Sequence, residues 1–316
     1  MPSTGSPAVT VITLTYKRAA DLAEALPALL SAIADHPDAD LLVVDNDTVP
    51  SARAVVDEFA SDRLRYVHEP RPGIAAARNR GLDETTTSGA IIFIDDDETP
   101  CTGWLDTLLE ARATYGAEAI VGPVLSQFDG PLDPWIAAGR YFERLRHPSG
   151  TTVEVAATNN LLLDRAFVAR HALRFDEGFG LSGGSDSVFT RQLRRAGGRI
   201  VWCDEAIVTD RVPASRATRK WVVQRAFRMG NTEARARIYT ATGRTQPLLE
   251  RLHAVGNGLA RMAAGAFGVV RGVFTRSLPV RARGVRTTMR GAGMFLAAFN
   301  YTYFEYRRRP AKASAT

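Results

Sequence analysis

Apolar runs alternate with segments of helical periodicity along the first third of the chain. Four short runs bounded by turn-forming residues predict buried strands at residues 9–15, 41–45, 64–68 and 90–94. Between these runs, apolar residues recur at helical spacing and predict helices near residues 22–33, 51–60 and 74–83. Continuously apolar strands that alternate with helices are typical of a mostly parallel sheet covered on both faces. We therefore predict an α/β fold that binds its ligands beyond the carboxyl ends of the strands.

The middle of the chain gives weaker signals. Helices are predicted at residues 103–115 and 187–196, and the second of these follows a glycine-rich segment that ends in Asp186. An acid at a helix start is often an N-cap, so Asp186 has a structural as well as a functional interpretation. Asn159 and Asn160 interrupt an apolar stretch, and this predicts either a buried hydrogen-bond network or a pocket wall. Trp221, Arg225 and their basic neighbours predict a helix face that either binds a diphosphate or lies in solvent.

Four consecutive acids, Asp95 to Glu98, directly follow the fourth predicted strand. Adjacent carboxylates repel each other, so a folded chain usually places such a run where a cation relieves the repulsion. Asp95 and Asp97 are two residues apart, and in extended chain both point the same way. Their oxygens suit a hard divalent cation, Mg²⁺ or Mn²⁺. The alternative is a solvated acidic turn that ends the strand.

Composition excludes several classes of protein. With 316 residues, 45% hydrophobic and 23% charged, the chain is typical of a globular protein. Its two cysteines, Cys101 and Cys203, exclude a disulfide framework. Met1–Ala8 lacks the basic and apolar regions of a signal peptide, so we expect a cytoplasmic protein. No zinc-finger, basic-zipper or aromatic–basic pattern predicts nucleic acid binding.

The last quarter of the chain is strongly basic. Residues 244–316 carry 13 Lys and Arg against two acids, whereas residues 1–243 carry 27 basic and 32 acidic residues. An apolar helical stripe at residues 259–273 and an uncharged, aromatic-rich run at residues 291–304 predict helices there. Such helices suit peripheral contact with the inner face of the cell membrane. The alternative is packing on the preceding domain or against a second subunit, as in a homodimer.

Five short segments in this order resemble family 2 glycosyltransferases of the GT-A fold. The resemblance covers residues 8–235 and rests on these segments: Thr13–Tyr16, Val43–Asp47, Gly73–Gly81, the acidic run with Gly103–Leu105, and Gly183–Asp186 with its helix. It implies a Rossmann-like domain at residues 1–243, with a nucleotide-sugar half near 8–125 and an acceptor half near 126–243. A basic helical extension at residues 244–316 would follow.

The resemblance also implies transfer of a sugar from a nucleotide donor, a UDP-sugar by family default, with inversion at the anomeric carbon. The acceptor would be a glycan, a lipid-linked carrier or a small molecule. Carried over by motif, Asp45 would bind the nucleobase beside the backbone near Thr13 and Tyr16, and Arg78 and Asn79 would lie beside the base and ribose. Asp95 and Asp97 would hold the metal, and Asp186 would be the catalytic base. We add Asn160 and Arg225 as candidate substrate contacts on the grounds given above.

Two departures from the family pattern keep alternatives open. Ser185 stands where the family commonly has an acid, and Asp210 stands near the position of a metal-binding histidine, for which it would have to substitute. A catalytically inactive sugar-nucleotide-binding protein therefore remains an alternative. Residues 91–99 also fit the nucleophile motif of haloacid-dehalogenase-type phosphatases, four apolar residues followed by Asp-x-Asp-x-Thr. Against that, the phosphatase motif normally follows the first strand, whereas three predicted strands precede it here.

Overall fold

A computed structural model describes residues 9–59 and 61–304. Met1–Ala8, for which the sequence predicts no signal peptide, Ala60 at the predicted end of the second helix, and the last part of the basic tail lie outside the described residues. The strands, in chain order, are β1 (Val9–Thr15), β2 (Ala39–Asp45), β3 (Leu64–His68), β4 (Ala90–Asp95), β5 (Glu98–Pro100), β6 (Ala119–Val121), β7 (Val124–Phe128), β8 (Asn160–Asp164), β9 (Ile200–Trp202) and β10 (Val208–Val212). The helices are α1 (Ala19–Ala32), α2 (Arg53–Asp57), α3 (Ile74–Asp83), α4 (Trp104–Tyr115), α5 (Pro134–Ala138), α6 (Arg165–Arg170), α7 (Ser185–Arg195), α8 (Arg219–Thr240), α9 (Gln246–Phe274) and α10 (Leu278–Ala298).

Seven strands form the main sheet in the order β3-β2-β1-β4-β8-β6-β9. The first four are parallel to each other, and β8 runs antiparallel to both of its neighbours, β4 and β6. The predicted α/β architecture with a mostly parallel sheet is therefore confirmed. The antiparallel β8 was not predicted, because its apolar run carries no sign of direction.

Both faces of this sheet are covered, which explains why its strands have no polar face. Leu22, Leu26 and Trp104 belong to a core cluster on one face, supplied by α1 and α4. Phe167 and Phe189 belong to the cluster on the other face, supplied by α6 and α7. Alternate residues of β1 and β4 divide between the two clusters.

A small second sheet, ordered β5-β10-β7, stands beside the carboxyl ends of the main strands. Its central strand β10 pairs antiparallel with β5, and this places Asp210 opposite Glu98. The acidic run is therefore not a free solvated turn. It joins β4 of the main sheet to β5 of the small one.

The C-terminal helices pack on the rest of the chain. Three residues join α9 to α10, so the two helices form an antiparallel hairpin, and α10 also lies along α8. Ala282 of α10 is buried among Trp135, Ile136 and Tyr141, and the Tyr141 hydroxyl donates to the Ala282 carbonyl at 3.2 Å. The predicted helical extension is therefore present in the described part of the chain. The boundary near residue 243 stays a prediction.

Candidate active site

A cavity of about 540 Å³ opens at the carboxyl ends of β1 and β4. Its floor is the acidic run, and the start of α3, β10 and the first half of α8 form its walls. The side chains that line it include Tyr16, Arg18, Asn46, Asp95, Asp96, Asp97, Glu98, Phe142, Arg144, Asn159, Leu181, Asp210, Arg216, Trp221, Arg225, Arg228 and Tyr303. The structure thus brings Tyr16, Asp95, Asp97, Asp210 and Arg225, all predicted from the sequence, to one cavity.

The turn after β4 holds the acidic floor in place. Glu98 is buried, and its carboxylate accepts from the Asp95 backbone N–H at 3.0 Å and from the Asn159 amide at 2.8 Å. Asn159 thus fixes the floor and also lines the cavity wall. Of the asparagine pair, this is the member that fits the predicted pocket wall.

Burial makes ionisation of the floor costly. Burial, followed by the nearby charge of Asp97, raises the pKa of Asp95 to about 7. Burial raises the pKa of Asp96 to about 6, against the opposing effect of Arg18. Burial and Asp95 raise the pKa of Glu98 well above its usual value, and burial also raises that of Asp210. The floor therefore concentrates carboxyl groups whose charged forms need a cationic partner.

Arginines supply part of that positive charge. Arg18 donates to Asp96 at 3.0 Å and to Asp97 at 2.8 Å, and Arg216 donates to Asp97 at 3.2 Å. Sequence analysis missed both arginines. Arg18 could have been found, because it lies in the turn directly after β1, where strand-end residues approach the site. Arg216 lies in a loop 119 residues from its partner, and no local pattern indicates that contact.

A third arginine, Arg144, also contacts the floor, where it donates to the Asp210 carboxylate at 2.5 Å. It too was missed, because the sequence around it predicts only an irregular segment. Asp210 was predicted as a metal ligand in place of histidine. Asp210 lies at the floor, as that prediction requires. It pairs with Glu98 across the small sheet, and the nearby charge of Asp97 contributes to the raised pKa of Asp210.

Arg225 lies on the wall beside a pair of stacked aromatic rings, Phe142 and Trp221, whose centroids are 5.9 Å apart. Its guanidinium carbon is 5.5 Å from the ring centroids of both Phe142 and Trp221, and it donates to the Tyr141 carbonyl at 3.4 Å. Burial, together with nearby Arg144, lowers its pKa to about 10, so the side chain is still cationic at neutral pH. These contacts hold the charged guanidinium in place at the cavity wall, and a fixed guanidinium suits binding of a phosphate group.

Two residues predicted at strand ends lie beneath the cavity instead. The Asp45 carboxylate is fully buried and accepts from the backbone N–H groups of Asp47 and Ala52 and from the Tyr66 hydroxyl, at 2.8 to 3.0 Å. These bonds order the loop after β2, and Asp45 is not among the residues that line the cavity. Thr13 is likewise fully buried within β1. At this strand end the side chain that lines the cavity is that of Asn46, and binding of the base by Asp45 stays a prediction.

Asn160 and Asn79 also have structural positions. Asn160 is buried, accepts from the Trp104 indole N–H at 3.0 Å, and donates to the carbonyls of Pro123 and Ala206. Asn79 exchanges two hydrogen bonds, at 2.8 and 2.9 Å, with the backbone of Phe175. Neither side chain lines the cavity. These bonds engage both amides within the protein, and the substrate contacts of Asn160 and Asn79 stay predictions.

Arg78 links the start of α7 to the cavity wall. It follows Ala77, which lines the cavity, and its guanidinium donates to the Ser185 hydroxyl at 2.7 Å while lying 5.4 Å from the Phe175 ring centroid. The charge of Arg78 also opposes the rise in the pKa of Asp95, and its contact with the base and ribose stays a prediction. Asp186 follows Ser185 at the start of α7 and is half-buried. It is not among the residues that line the cavity, which Leu181 approaches from the same segment.

The C-terminal segment after α10 returns to the cavity. Asn231 of α8 donates to the Tyr301 carbonyl at 2.9 Å and accepts from the Tyr303 backbone N–H at 3.1 Å. The Phe227 ring packs against the rings of both tyrosines. These contacts bring Tyr303 to the cavity wall, a placement that the sequence did not predict.

The carboxyl floor fits a divalent cation, although no group of three His, Cys, Asp or Glu side chains in residues 9–59 and 61–304 converges on one metal position. Mg²⁺ and similar ions are commonly held by one or two carboxylates, with substrate phosphates completing the coordination. Asp95 and Asp97 offer only oxygen ligands, and because burial and the charge of Asp97 raise the pKa of Asp95, a cation beside them would favour the ionised pair. An ion shared between protein and substrate is therefore compatible with these residues.

Comparison with known proteins assigns the family. A profile of Glycosyl transferase family 2 matches residues 10–170. The succinoglycan biosynthesis protein ExoM of Rhizobium meliloti is 36% identical over 255 residues, which cover 79% of this chain and 82% of ExoM. The chain belongs to glycosyltransferase family 2. This assignment agrees with the resemblance of the five segments and leaves the phosphatase alternative without support, because the Asp-x-Asp motif follows the fourth strand.

Solved structures confirm the GT-A fold of this family 2 glycosyltransferase. A mannosyltransferase from Pyrobaculum calidifontis, in complex with GDP-Man and Mn²⁺, aligns with a TM-score of 0.64 and 17% identity, covering 94% of this chain and 88% of that one. Residues 1–349 of Staphylococcus aureus TarS, in complex with UDP, align with a TM-score of 0.52 and 14% identity, covering 90% of each chain. At these identities the likeness concerns the fold.

Proposed function

We propose that this family 2 glycosyltransferase moves a hexose from a nucleoside diphosphate sugar to a hydroxyl of a growing cell-surface polysaccharide, with inversion at the anomeric carbon. The observation that carries the proposal is one cavity in which an acidic floor meets ion-paired arginines and Arg225, which packs beside two aromatic rings. The relative named for succinoglycan biosynthesis supports a polysaccharide acceptor, over a lipid-linked carrier or a small molecule. The GDP-Man and UDP complexes of the structural neighbours support a nucleotide donor, and a UDP-sugar is our first choice.

The donor diphosphate would lie between the floor and Arg225. Departure of the nucleoside diphosphate builds negative charge on its β-phosphate, and fixed cations stabilise charge that develops in the transition state. Arg225 is held by cation–π contacts with two rings and by its bond to the Tyr141 carbonyl, so little reorganisation is needed as the charge appears. A Mg²⁺ or Mn²⁺ ion bound by Asp97 and Asp95, with Asp210 close by, would neutralise the same phosphate as a Lewis acid.

Asp186 is our candidate for the base that removes the proton of the acceptor hydroxyl. Direct displacement needs one proton acceptor on the face of the sugar opposite the leaving group, and no covalent intermediate. The bond between Arg78 and Ser185 ties the start of α7 to α3, whose first turn lines the cavity. Arg78 and Ser185 therefore act as positioning residues for Asp186 in this proposal.

The Asp186→Asn variant tests the function. A panel of nucleotide sugars is first screened by thermal shift with Mn²⁺, because a ligand that binds only the folded state raises its stability. Transfer and nucleotide affinity are then measured with the selected donor. We expect the rate of sugar transfer to fall by about 10²- to 10⁴-fold, because a general base typically accelerates a reaction by that factor. The affinity for the nucleoside diphosphate should stay within about twofold of wild type.

Glu110→Gln, which alters an exposed acid on α4, is the control and should keep wild-type transfer. Full transfer by Asp186→Asn would refute the assignment of the base. If the wild-type protein bound a nucleotide sugar without transferring it to any acceptor, the inactive-binder alternative, which the departure at Ser185 suggests, would replace the proposed function.

A further inference from the structure

One face of α9 presents large apolar side chains to the exterior. The helix has 29 residues and is about 43 Å long. The apolar side chains on this face are between 50% and 83% exposed and follow helical spacing: Leu248, Leu249, Leu252, Leu259, Phe267, Val270, Val273 and Phe274. We call these eight residues the α9 stripe. A contiguous apolar stripe of this length is unusual on a protein surface and indicates an interaction site.

The packing of α9 explains why the stripe is not part of the protein core. The opposite face is in close contact with α10 through Gly258, Gly265 and Gly272, spaced seven residues apart. A Cβ added at Gly265 would lie 2.7 Å from the Gly284 carbonyl oxygen, and one at Gly258 would lie 3.0 Å from that of Gly291. The backbones of the hairpin therefore meet through glycines, and the bulky residues of α9 are left on the outside.

The segment that the structure exposes for membrane contact differs from the one predicted from the sequence. The uncharged run at residues 291–304 was predicted as a membrane contact, but Gly293, Met294 and Ala297 of this run are buried. A Cβ at Gly293 would lie 2.0 Å from the Phe227 carbonyl oxygen on α8. The part of this run inside α10 thus serves mainly the packing of that helix, whereas Phe299, Tyr301 and Phe304 after it are exposed. The longest series of exposed apolar side chains belongs to α9.

Charge indicates what covers the α9 stripe. Residues 244–304 contain nine arginines and one acid, Glu250. Five of those arginines are exposed on or between α9 and α10: Arg261, Arg271, Arg276, Arg281 and Arg283. A second copy of this chain would bring an equally basic surface against the first, which like charges oppose. An anionic lipid surface offers both the opposite charge and an apolar layer of suitable depth.

We propose that the α9 stripe docks on an anionic lipid bilayer, with α9 lying in the plane of the interface. Among residues 9–59 and 61–304, no helix is long and apolar enough to cross a membrane, and an in-plane helix does not require one. The apolar side chains enter the boundary between headgroups and acyl chains, and the flanking arginines contact anionic headgroups. This interaction does not depend on the proposed transfer reaction, since it concerns a separate surface.

Vesicle flotation tests the proposal with the full chain. The vesicles contain phosphatidylcholine alone, or phosphatidylcholine with phosphatidylglycerol at about 3:1, each in low and high salt. The wild-type protein should bind the anionic vesicles at low salt and bind neutral vesicles far more weakly. Leu252→Gln combined with Leu259→Gln should weaken binding by about a hundredfold, because two side chains no longer leave water.

Substituting Arg271 and Arg276 by Gln should weaken binding by about fivefold per arginine, since each basic residue near an anionic surface adds about 1 kcal/mol to the binding free energy. Val49→Gln with Leu145→Gln is the matched control, because these two side chains are 60% and 81% exposed but lie outside α9. The control should bind within about twofold of wild type. All substituted side chains are exposed, and circular dichroism checks that each variant is folded.

Three results would overturn the proposal. The first is no flotation of the wild-type protein with anionic vesicles. The second is equal loss of binding in the α9 variant and the control. The third is a concentration-dependent dimer, measured by analytical ultracentrifugation, that the α9 variant abolishes while vesicle binding is unaffected. This last result would assign the stripe to contact between two copies of the chain.

Discussion

The glycine contacts between α9 and α10 give a prediction that can be worked out from distances. In a Gly265→Ala variant, the new Cβ would lie 2.3 Å from the Thr288 hydroxyl oxygen and 2.5 Å from the Thr288 backbone nitrogen. Real Cβ atoms do not approach other atoms so closely. The hydroxyl can rotate away, but the backbone nitrogen cannot. The two helices must therefore separate by about 0.9 Å or more to reach ordinary van der Waals contact.

Two effects of opposite sign set the size of the change. Overpacking of a tight contact costs about 1–3 kcal/mol, and the backbone clash at Gly265 favours the upper value. Alanine is better than glycine in a helix interior by about 1 kcal/mol. We therefore expect Gly265→Ala to lower the free energy of unfolding by about 2 kcal/mol. On the same helix, a Cβ added at Gly256 would have no neighbouring atom within 4 Å, so Gly256→Ala should raise that free energy by up to about 1 kcal/mol.

Urea denaturation followed by circular dichroism measures both variants under one set of conditions. The informative quantity is the difference between them, about 3 kcal/mol, because helix propensity contributes equally to both and cancels. If Gly265→Ala were as stable as Gly256→Ala, the close approach of α9 to α10 would be refuted. The orientation inferred for the α9 stripe would then lose its basis.

Two further predictions concern the cavity. The pKa of Asp95 is raised to about 7, whereas the unfolded chain titrates near 3.9, so between these values the folded state binds the extra proton and stability falls as pH rises. The free energy of unfolding of Asp95→Asn should therefore equal that of wild type near pH 4 and exceed it by up to about 4 kcal/mol at pH 8 in EDTA. Urea denaturation at each pH measures this difference, and Glu110→Gln, the control, should show none. A difference that does not grow with pH would contradict the burial of this carboxyl group. Tyr303→Ala should raise the KM for the acceptor by about tenfold and leave nucleoside diphosphate affinity unchanged, because Tyr303 lies on the wall formed by α8 and the C-terminal segment, away from the acidic floor. The neighbouring exposed Phe304 provides the control, and equal effects of Tyr303→Ala and Phe304→Ala on initial rates would remove Tyr303 from the site.

Much of the main sheet could be predicted from the sequence, because its strands are buried on both faces. Strands β1 and β3 and helix α3 were predicted with the bounds that the structure has. Strand β8 was harder, since it pairs antiparallel between β4 and β6 and an apolar run does not specify direction. Strand β10 is not evident from the sequence, because its polar residues Thr209 and Asp210 resemble a loop until pairing with β5 and β7 is known.

The site was predictable where chemistry is local and unpredictable where it depends on distant partners. Four adjacent acids must be compensated wherever they lie, so the acidic floor was evident. Asp45 shows the limit of this reasoning: a strand-end position does not reveal whether a carboxylate faces the cavity or orders the following loop. The contact between Arg216 and Asp97 joins residues in different elements far apart in the chain, and only the fold brings them together.

The placement of Tyr303 has a consequence for the order of events during synthesis. Domains generally fold as units while the chain is made, starting from the N-terminus. The sheet and the acidic floor can assemble once β10 has been synthesised, but the wall beside α8 stays incomplete until α10 has packed and Asn231 has bound the segment that carries Tyr303. We therefore expect a ribosome-bound chain that ends shortly after α8 to fold its sheet yet handle an acceptor poorly. Full activity would be acquired only after the segment that carries Tyr303 has been synthesised.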